Sequence, residues 1–576
     1  MKKILYVAAL AFLCMSCEDF LDTTNLTKFD TTSFPKTADD AAKMVTGIYS
    51  ELSQGIASPS QTLFFVGELA SDDRFGGGGE NDKHFMAYDK MMQTTPDQYS
   101  AMWRTRYAGI FRATMAINTL AQTNLDATAL NTYLGESHFL RAFYFSELAE
   151  FFGEVPLPIT TEAINLPRAD IDLIYGHIAY DLQEAIKLLP DTPYNSTVSG
   201  HATKWAAESL LARVFLFYTG FYGKSDLPLG NGEGANAGSI SKQQVIDGLN
   251  DVIANSGHSL VGEFRQLWSY SNSATAPEYP FVSDLVDKNQ FWLKDVHGET
   301  VFAVKYSAIA SWSNGSTNYS NQYCIHFGLR ADNGNENTFP FGVGWGAGPV
   351  NSQLWDEWKA TEPNDPRRKA SILCVLDGSD SEIPKGQEYI WGADKQMEET
   401  GYWQKKYTTV RAHNSSGKLM NSYSGLIWAN EDQFQLSWPE DFVIIRYADV
   451  LLMHSELTET AAGINQVRAR VGLPPVTYST QALRNERRFE LAFEGRRWTD
   501  IRRWGIAADV LAKQAGVGIW NRGLPDKMKE FGGGYRQRYE DTKGFFQLPL
   551  TQLNLSAGML VQTLGWGKPE NEFTNW

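Results

Sequence analysis

Apolar residues recur at helical spacing in several separate stretches, and this limits the fold more than any other feature of the chain. Leu140, Phe143, Tyr144, Leu148 and Phe151 share one helical face, and Gly153 stops the pattern. Ile174, Ile178, Leu182, Ala185 and Leu189 do the same before Pro190. Ala207, Leu210, Leu211, Val214 and Phe217 form a third face that ends near Gly220. Val450, Met453 and Leu457 belong to a later one. Amphipathic helices joined by short connections predict a mostly α fold in which helix pairs pack as repeats. The tetratricopeptide consensus itself is not evident.

The segment from about residue 230 to 437 reads differently. It is rich in Gly, Asn, Ser and aromatic residues and shows few helical faces. Turn formers are densest between Ser311 and Gly348, which predicts loops. A long loop inside a compact chain is usually functional, and the aromatic content argues against disorder. At 43% hydrophobic and 20% charged, the composition suits a globular chain, not a multi-span membrane protein. A net charge of −16 repels phosphate backbones, so nucleic acid is excluded as a partner. Most of the 17 Trp, 25 Tyr and 32 Phe must form core.

The N-terminus points to export. Lys2-Lys3 precede an apolar run from Ile4 to Leu13, too short to remain as a membrane span. Ser16 before Cys17 resembles a lipobox with Cys17 as the lipidated residue, although Cys14 stands where Leu is usual. Several acyl chains on one cysteine anchor a protein firmly. After processing, only Cys324 and Cys374 remain, and the sequence leaves their pairing open.

Candidate chemistry is sparse. Glu486, Glu490 and Glu494 fall at i, i+4, i+8 and invite a general acid–base reading. Arg484, Arg487, Arg488, Arg496 and Arg497 surround them, which favours structural ion pairs over a raised carboxyl pKa. Gly495 is expected to cap this helix, with a second short helix from about Arg497 to Trp504. No G-x-S-x-G, H-E-x-x-H or Walker A pattern is present. No cofactor is expected; calcium is admissible among Asp332 to Asn337, without an EF-hand pattern.

Several ordered stretches resemble the SusD-like (RagB/SusD) family. They are CEDFLD (17–22), FPKTADDAAKMVTGIYSEL (34–52), GESHFLRAFYFSELAEFFGEVPLP (135–158) and HATKWAAESLLARVFLFY (201–218). Asn364-Asp365-Pro366-Arg367-Arg368, DFVIIRYADVLLMHSELTE (441–459) and INQVRARVGLP (464–474) follow. NERRFELAFEGRRWTDIRRWG (485–505) is the most specific, and FFQLPLTQL (545–553) closes the set. The resemblance implies four tetratricopeptide-like helix pairs and an irregular half that carries a glycan site. It implies a surface-exposed outer-membrane lipoprotein, not an enzyme, that captures oligosaccharide for a SusC-like TonB-dependent transporter. Some relatives handle peptides instead. The expected organisation is a signal peptide (1–17), a tether (18–40) and a single SusD-like domain (41–576). Within that domain, helical repeats cover about 41–225 and 440–510, and the loop-rich region covers 226–439.

The expected ligand surface has two parts. Asp73 and Arg74, before four glycines, take the position of an early family loop that offers polar contacts. Trp312, Tyr319, Tyr323, Phe341 and Trp345 lie where relatives carry stacking aromatics, and two of the five are expected to touch ligand. Trp312 and Tyr319 sit among Asn, Ser and Gly, which favours exposure. The competing readings are a surface glycoside hydrolase, with Asp73 facing Glu336 or Asp356, and a purely structural lid.

Overall fold

The computed structural model describes residues 34–576 except 55–58, 296, 314–315, 331–335 and 343. The lipidation site Cys17, and most of the Asp332–Asn337 stretch read for calcium, lie outside the described residues. The chain is mostly helical, with 47% helix and 10% strand.

Eleven helices carry the argument: α1 (Ala38–Gln54), α2 (Ser100–Thr119), α3 (Ala127–Phe152), α4 (Ile171–Leu188), α5 (Lys204–Tyr222), α6 (Lys242–Asn255), α7 (Gln322–Phe327), α8 (Tyr447–Thr458), α9 (Ala462–Arg470), α10 (Thr480–Glu490) and α11 (Arg497–Arg503). They pack as consecutive pairs, α1 on α2, α3 on α4, α5 on α6 and α8 on α9, with α2 on α3, α4 on α5 and α6 on α8 joining the pairs. The faces of Leu140, Ile178 and Leu211 are buried in one continuous core, as the periodicity requires.

Helix ends follow local chemistry. The Asp126 side chain accepts from the Ala129 amide at the start of α3, and Gly153 ends it at φ 77°. The helix expected to stop near Gly220 runs on to Tyr222, where Gly223 caps it at φ 65°. Gly220 serves a contact instead: a Cβ there would lie 2.6 Å from the Arg503 carbonyl oxygen, so α11 could not approach. Helix α6 falls inside the stretch read as loop-rich. Its start is fixed by a reciprocal capping box between Ser241 and Gln244.

Two antiparallel strands, β1 (Thr300–Val304) and β2 (Phe442–Arg446), tie the irregular half to the helices, with Thr300 opposite Arg446. The described strands pair only two by two. Helix α10 ends at Glu490, so Glu494 stands in the following turn, not one helical step further along. The carboxylates still converge. Arg367 bridges Glu486 at 2.6 Å and Glu490 at 2.8 Å, Arg446 reaches Glu490 at 2.7 Å and Glu494 at 2.9 Å, and Lys406 meets Glu494 at 2.7 Å. The ion pairing expected from sequence is present, but the partners come from distant motifs. The neighbouring Arg487 binds Asp449 and Asp500 instead.

Candidate functional site

Asp73 and Arg74 are buried in ion pairs rather than presented on an open loop. Arg74 is 0% exposed and lies 4.5 Å from the ring centroids of both Phe327 and Phe493. Its Nε donates to Glu68 at 2.6 Å, and its other donors reach the Gly348 carbonyl and Gln404. Asp73 is buried against Arg488 at 2.6 Å. Asp72 beside it resists the upward push of burial because Arg497 and Arg488 hold its pKa at about 2. The following glycines are no free loop. Gly78 donates to the Gly346 carbonyl at 2.7 Å, and a Cβ on Gly77 would strike Pro349 at 2.3 Å. The hydrolase pairing that needed Asp73 in a cleft therefore fails.

The aromatic part fares differently. Tyr323 and Phe341 are core residues, and the Tyr323 hydroxyl bonds to Thr62 at 2.9 Å. Trp312, Tyr319 and Trp345 expose 59%, 46% and 36% of their surface. Trp312 and Tyr319 share one loop. Ser316 closes it by accepting from the Ser311 amide at 3.0 Å and donating to the Ile309 carbonyl at 3.2 Å. The Tyr319 carbonyl accepts from the Ser307 amide at 2.8 Å, which joins the loop to the chain leaving β1.

Trp345 is held against α7. Its amide donates to the Ile325 carbonyl at 2.8 Å, and its own carbonyl accepts from Arg330 at 3.0 Å. Its ring meets His326 edge-on with centroids 4.5 Å apart. Burial holds the His326 pKa down at about 4, so the imidazole is neutral. The flanking glycines are required: a Cβ on Gly346 would fall 1.9 Å from Gln396, and one on Gly344 would fall 2.4 Å from the Gly328 backbone. A half-exposed ring is thus fixed in place by its backbone.

Ion pairs gather around the arginine that holds its backbone. Arg330 pairs with Asp82 at 3.0 Å and Asp394 at 2.9 Å, and Lys395 pairs with Glu80 at 2.6 Å. Leu426 and Trp428 add exposed apolar surface on the segment that meets the Trp312 loop, where Asn430 donates to the Ala308 carbonyl at 3.3 Å. Sequence reading missed Arg330 and Trp428. The available signals were an Arg ahead of an Asp/Asn/Gly run and a Trp between Gly/Ser and Asn. Fixed aromatic faces beside charged hydrogen-bonding groups suit a flat ligand with apolar faces and hydroxylated edges.

Two further observations bear on chemistry. Glu486, Glu490 and Glu494 are buried in their ion pairs, out of reach of a polymer. Among the described residues no cluster of His, Cys, Asp and Glu could hold a metal ion, and Cys324 and Cys374 are buried and unpaired.

Comparison with known proteins agrees with this architecture. A family model described as "Starch-binding associating with outer membrane" matches residues 19–216, and the SusD family model matches residues 299–566. A SusD-like protein of Formosa agariphila is 24% identical over 511 residues, covering 83% of this chain and 86% of its own length. A laminarin-binding SusD-like protein superposes with a TM-score of 0.67 at 23% identity, covering 92% of this chain and all of its own. Surface glycan-binding protein A of Bacteroides thetaiotaomicron, solved with laminarihexaose, also gives 0.67, at 18% identity with the same coverage. The fold is that of the surface glycan-binding SusD-like proteins. This chain belongs to the SusD-like (RagB/SusD) family.

Proposed function

We propose that the protein captures oligosaccharide at the cell surface and passes it to a TonB-dependent outer-membrane transporter. The exposure of Trp312, Tyr319 and Trp345 on backbone-fixed loops carries this reading. Exposed rings rimmed by polar residues mark ligand-binding surfaces, and each stacked sugar face is worth about 1 kcal/mol by analogy with aromatic pairs. Cys17 is the lipidated residue that holds the protein to the outer membrane. The protein binds without cleaving, a reading supported by the burial of Glu486, Glu490, Glu494 and Asp73 in ion pairs with arginines and Lys406. Relatives named for laminarin and laminarihexaose make β-glucan the first ligand to try.

A second surface supports the transporter partner. Residues 544–567 carry no charged side chain in a chain of net charge −16. They expose Leu550, Leu555, Met559, Val561 and Leu564, and Ile164 lies beside them. Asn165 bonds the Ser556 carbonyl at 2.8 Å, and a groove of about 220 Å³ lies between the two segments. An uncharged apolar face of this kind fits a protein rim rather than an anionic lipid surface, for which it offers no cation.

The test is electrophoresis of the soluble chain from Glu18 through native gels cast with a panel of polysaccharides. Retardation by one glycan, lost in Trp312→Ala or Trp345→Ala, is the expected result and names the substrate class. No retardation by any glycan would move the reading to peptide capture or to a lid without its own ligand.

A further inference from the structure

A second concave site lies away from the aromatic loops. The first half of α3 and the loop from Pro190 to Thr203 enclose a groove of about 340 Å³, within the ~300–1,000 Å³ common for small-molecule sites. Thr132, Tyr133, Thr192, Thr197 and His201 face it, above the carboxylate of Glu136. Glu136 is almost fully buried and accepts from His201 Nδ1 at 2.9 Å. Tyr49 braces the imidazole from behind, with ring centroids 5.2 Å apart, and its hydroxyl accepts from the Ala202 amide at 2.7 Å. The imidazole is therefore oriented by two neighbours, and among the described residues its Nε2 has no hydrogen-bond partner.

The lining selects a chemistry. His201 and Glu136 are the only ionisable side chains besides the Tyr133 phenol, and they pair with each other. With no Lys or Arg present, an anionic ligand gains nothing. The hydroxyls of Thr192 and Thr197 would be wasted on an apolar one, as would the acceptor side of Thr132, whose hydroxyl donates to the Thr128 carbonyl at 2.9 Å. A neutral, hydroxylated ligand with one apolar face fits best.

The loop that borders the groove also touches the chain leaving β1. Gly200 packs on the Lys305 side chain, and a Cβ there would lie 2.6 Å from Lys305 Cγ. Two residues beyond Lys305, the Ser307 amide donates to the Tyr319 carbonyl.

We propose that this groove is a second sugar subsite, in which His201 Nε2 and the threonine hydroxyls bind the hydroxyls of a neutral pyranose. The choice of a sugar among neutral polyols rests on the capture reading above; the geometry of the subsite does not.

The test is a set of crystals of the soluble chain soaked separately with methyl glycosides of glucose, galactose, mannose and xylose. It is paired with solution titration of the His201 ring signal, assigned by its loss in His201→Ala. One glycoside in the groove, bonded to His201 and shifting its signal, is expected. Thr197→Val should weaken that binding about fivefold, the loss of one hydrogen bond, without changing Tm. An empty groove overturns the proposal whether or not sugar occupies the Trp312 and Trp345 loops; sugar there alone would leave the capture reading intact. Sugar in the groove alone would keep the subsite and remove the loops from that reading. Density in the crystal without a solution shift is binding at crystal concentration only, and overturns the subsite.

Discussion

Truncating Arg74 to Ala would strand the buried Glu68 carboxylate and empty the slot between Phe327 and Phe493. Breaking a buried pair from one side costs about 3–5 kcal/mol, to be read from urea unfolding, while glycan affinity per folded molecule stays unchanged. Trp312→Ala should do the reverse: stability within about 0.5 kcal/mol and weaker glycan binding. The contrast shows what the sequence could disclose. Trp312 and Tyr319 were legible because Ser, Asn and Gly around them offer no apolar cover. Arg74 was not, because its partners stand 6, 274 and 330 residues away. Glu440 gives a pH-dependent prediction. Burial raises its pKa to about 7, against a partial offset from Ser269 and Cys324. A carboxyl raised in the folded state contributes stability that is complete below its unfolded pKa of 4.5 and lost as pH rises through 7. The contribution of this group to the unfolding free energy should therefore fall across this window, by roughly 3 kcal/mol. Glu440→Gln should flatten that slope in denaturation curves taken from pH 4.5 to 8.

Helix periodicity carried over well because each face needs only its own residues. Ends were less legible. Gly220 and Gly223 look alike in sequence, yet one admits the Arg503 carbonyl and the other supplies a left-handed cap. Gly220→Ala should separate α5 from α11 and cost about 1–3 kcal/mol, as overpacking does, measured by thermal unfolding. A substitution of Gly472, whose Cβ would meet nothing within 4 Å, should cost only its backbone strain. Helix α6 escaped the reading because Gly and Asn surround it, although Ser241 three residues before Gln244 is a capping-box signal. Glu494 shows the opposite case. The period was extended one turn too far, yet the side chain still shares Arg446 with Glu490 because the turn after α10 folds back on Arg446 and Lys406.

At the scale of the whole molecule, motifs far apart in sequence meet in one buried ion cluster. Arg367, Lys406, Arg446 and Arg470 all close on Glu490 or Glu494. Their order along the chain was visible, but their convergence was not, since no local pattern encodes a contact between residues 367 and 490. The uncharged stretch 544–567 is a property of the entire surface in the same sense. Leu555→Asp with Val561→Asp should leave Tm and glycan binding unchanged, because both side chains are exposed. It should reduce recovery of the purified complex with the TonB-dependent transporter; undiminished recovery would place the contact on another face.

The claim at the centre of this account is that the exposed rings of the irregular half hold the glycan. Calorimetric titration of the soluble chain with the oligosaccharide identified by gel retardation tests it most directly, run beside Trp312→Ala, Tyr319→Ala and Trp345→Ala. Affinity lost about fivefold or more in at least two variants, at about 1 kcal/mol per ring and with folding intact, is the expected outcome. Wild-type affinity in all three would contradict the account and place the glycan elsewhere on the molecule.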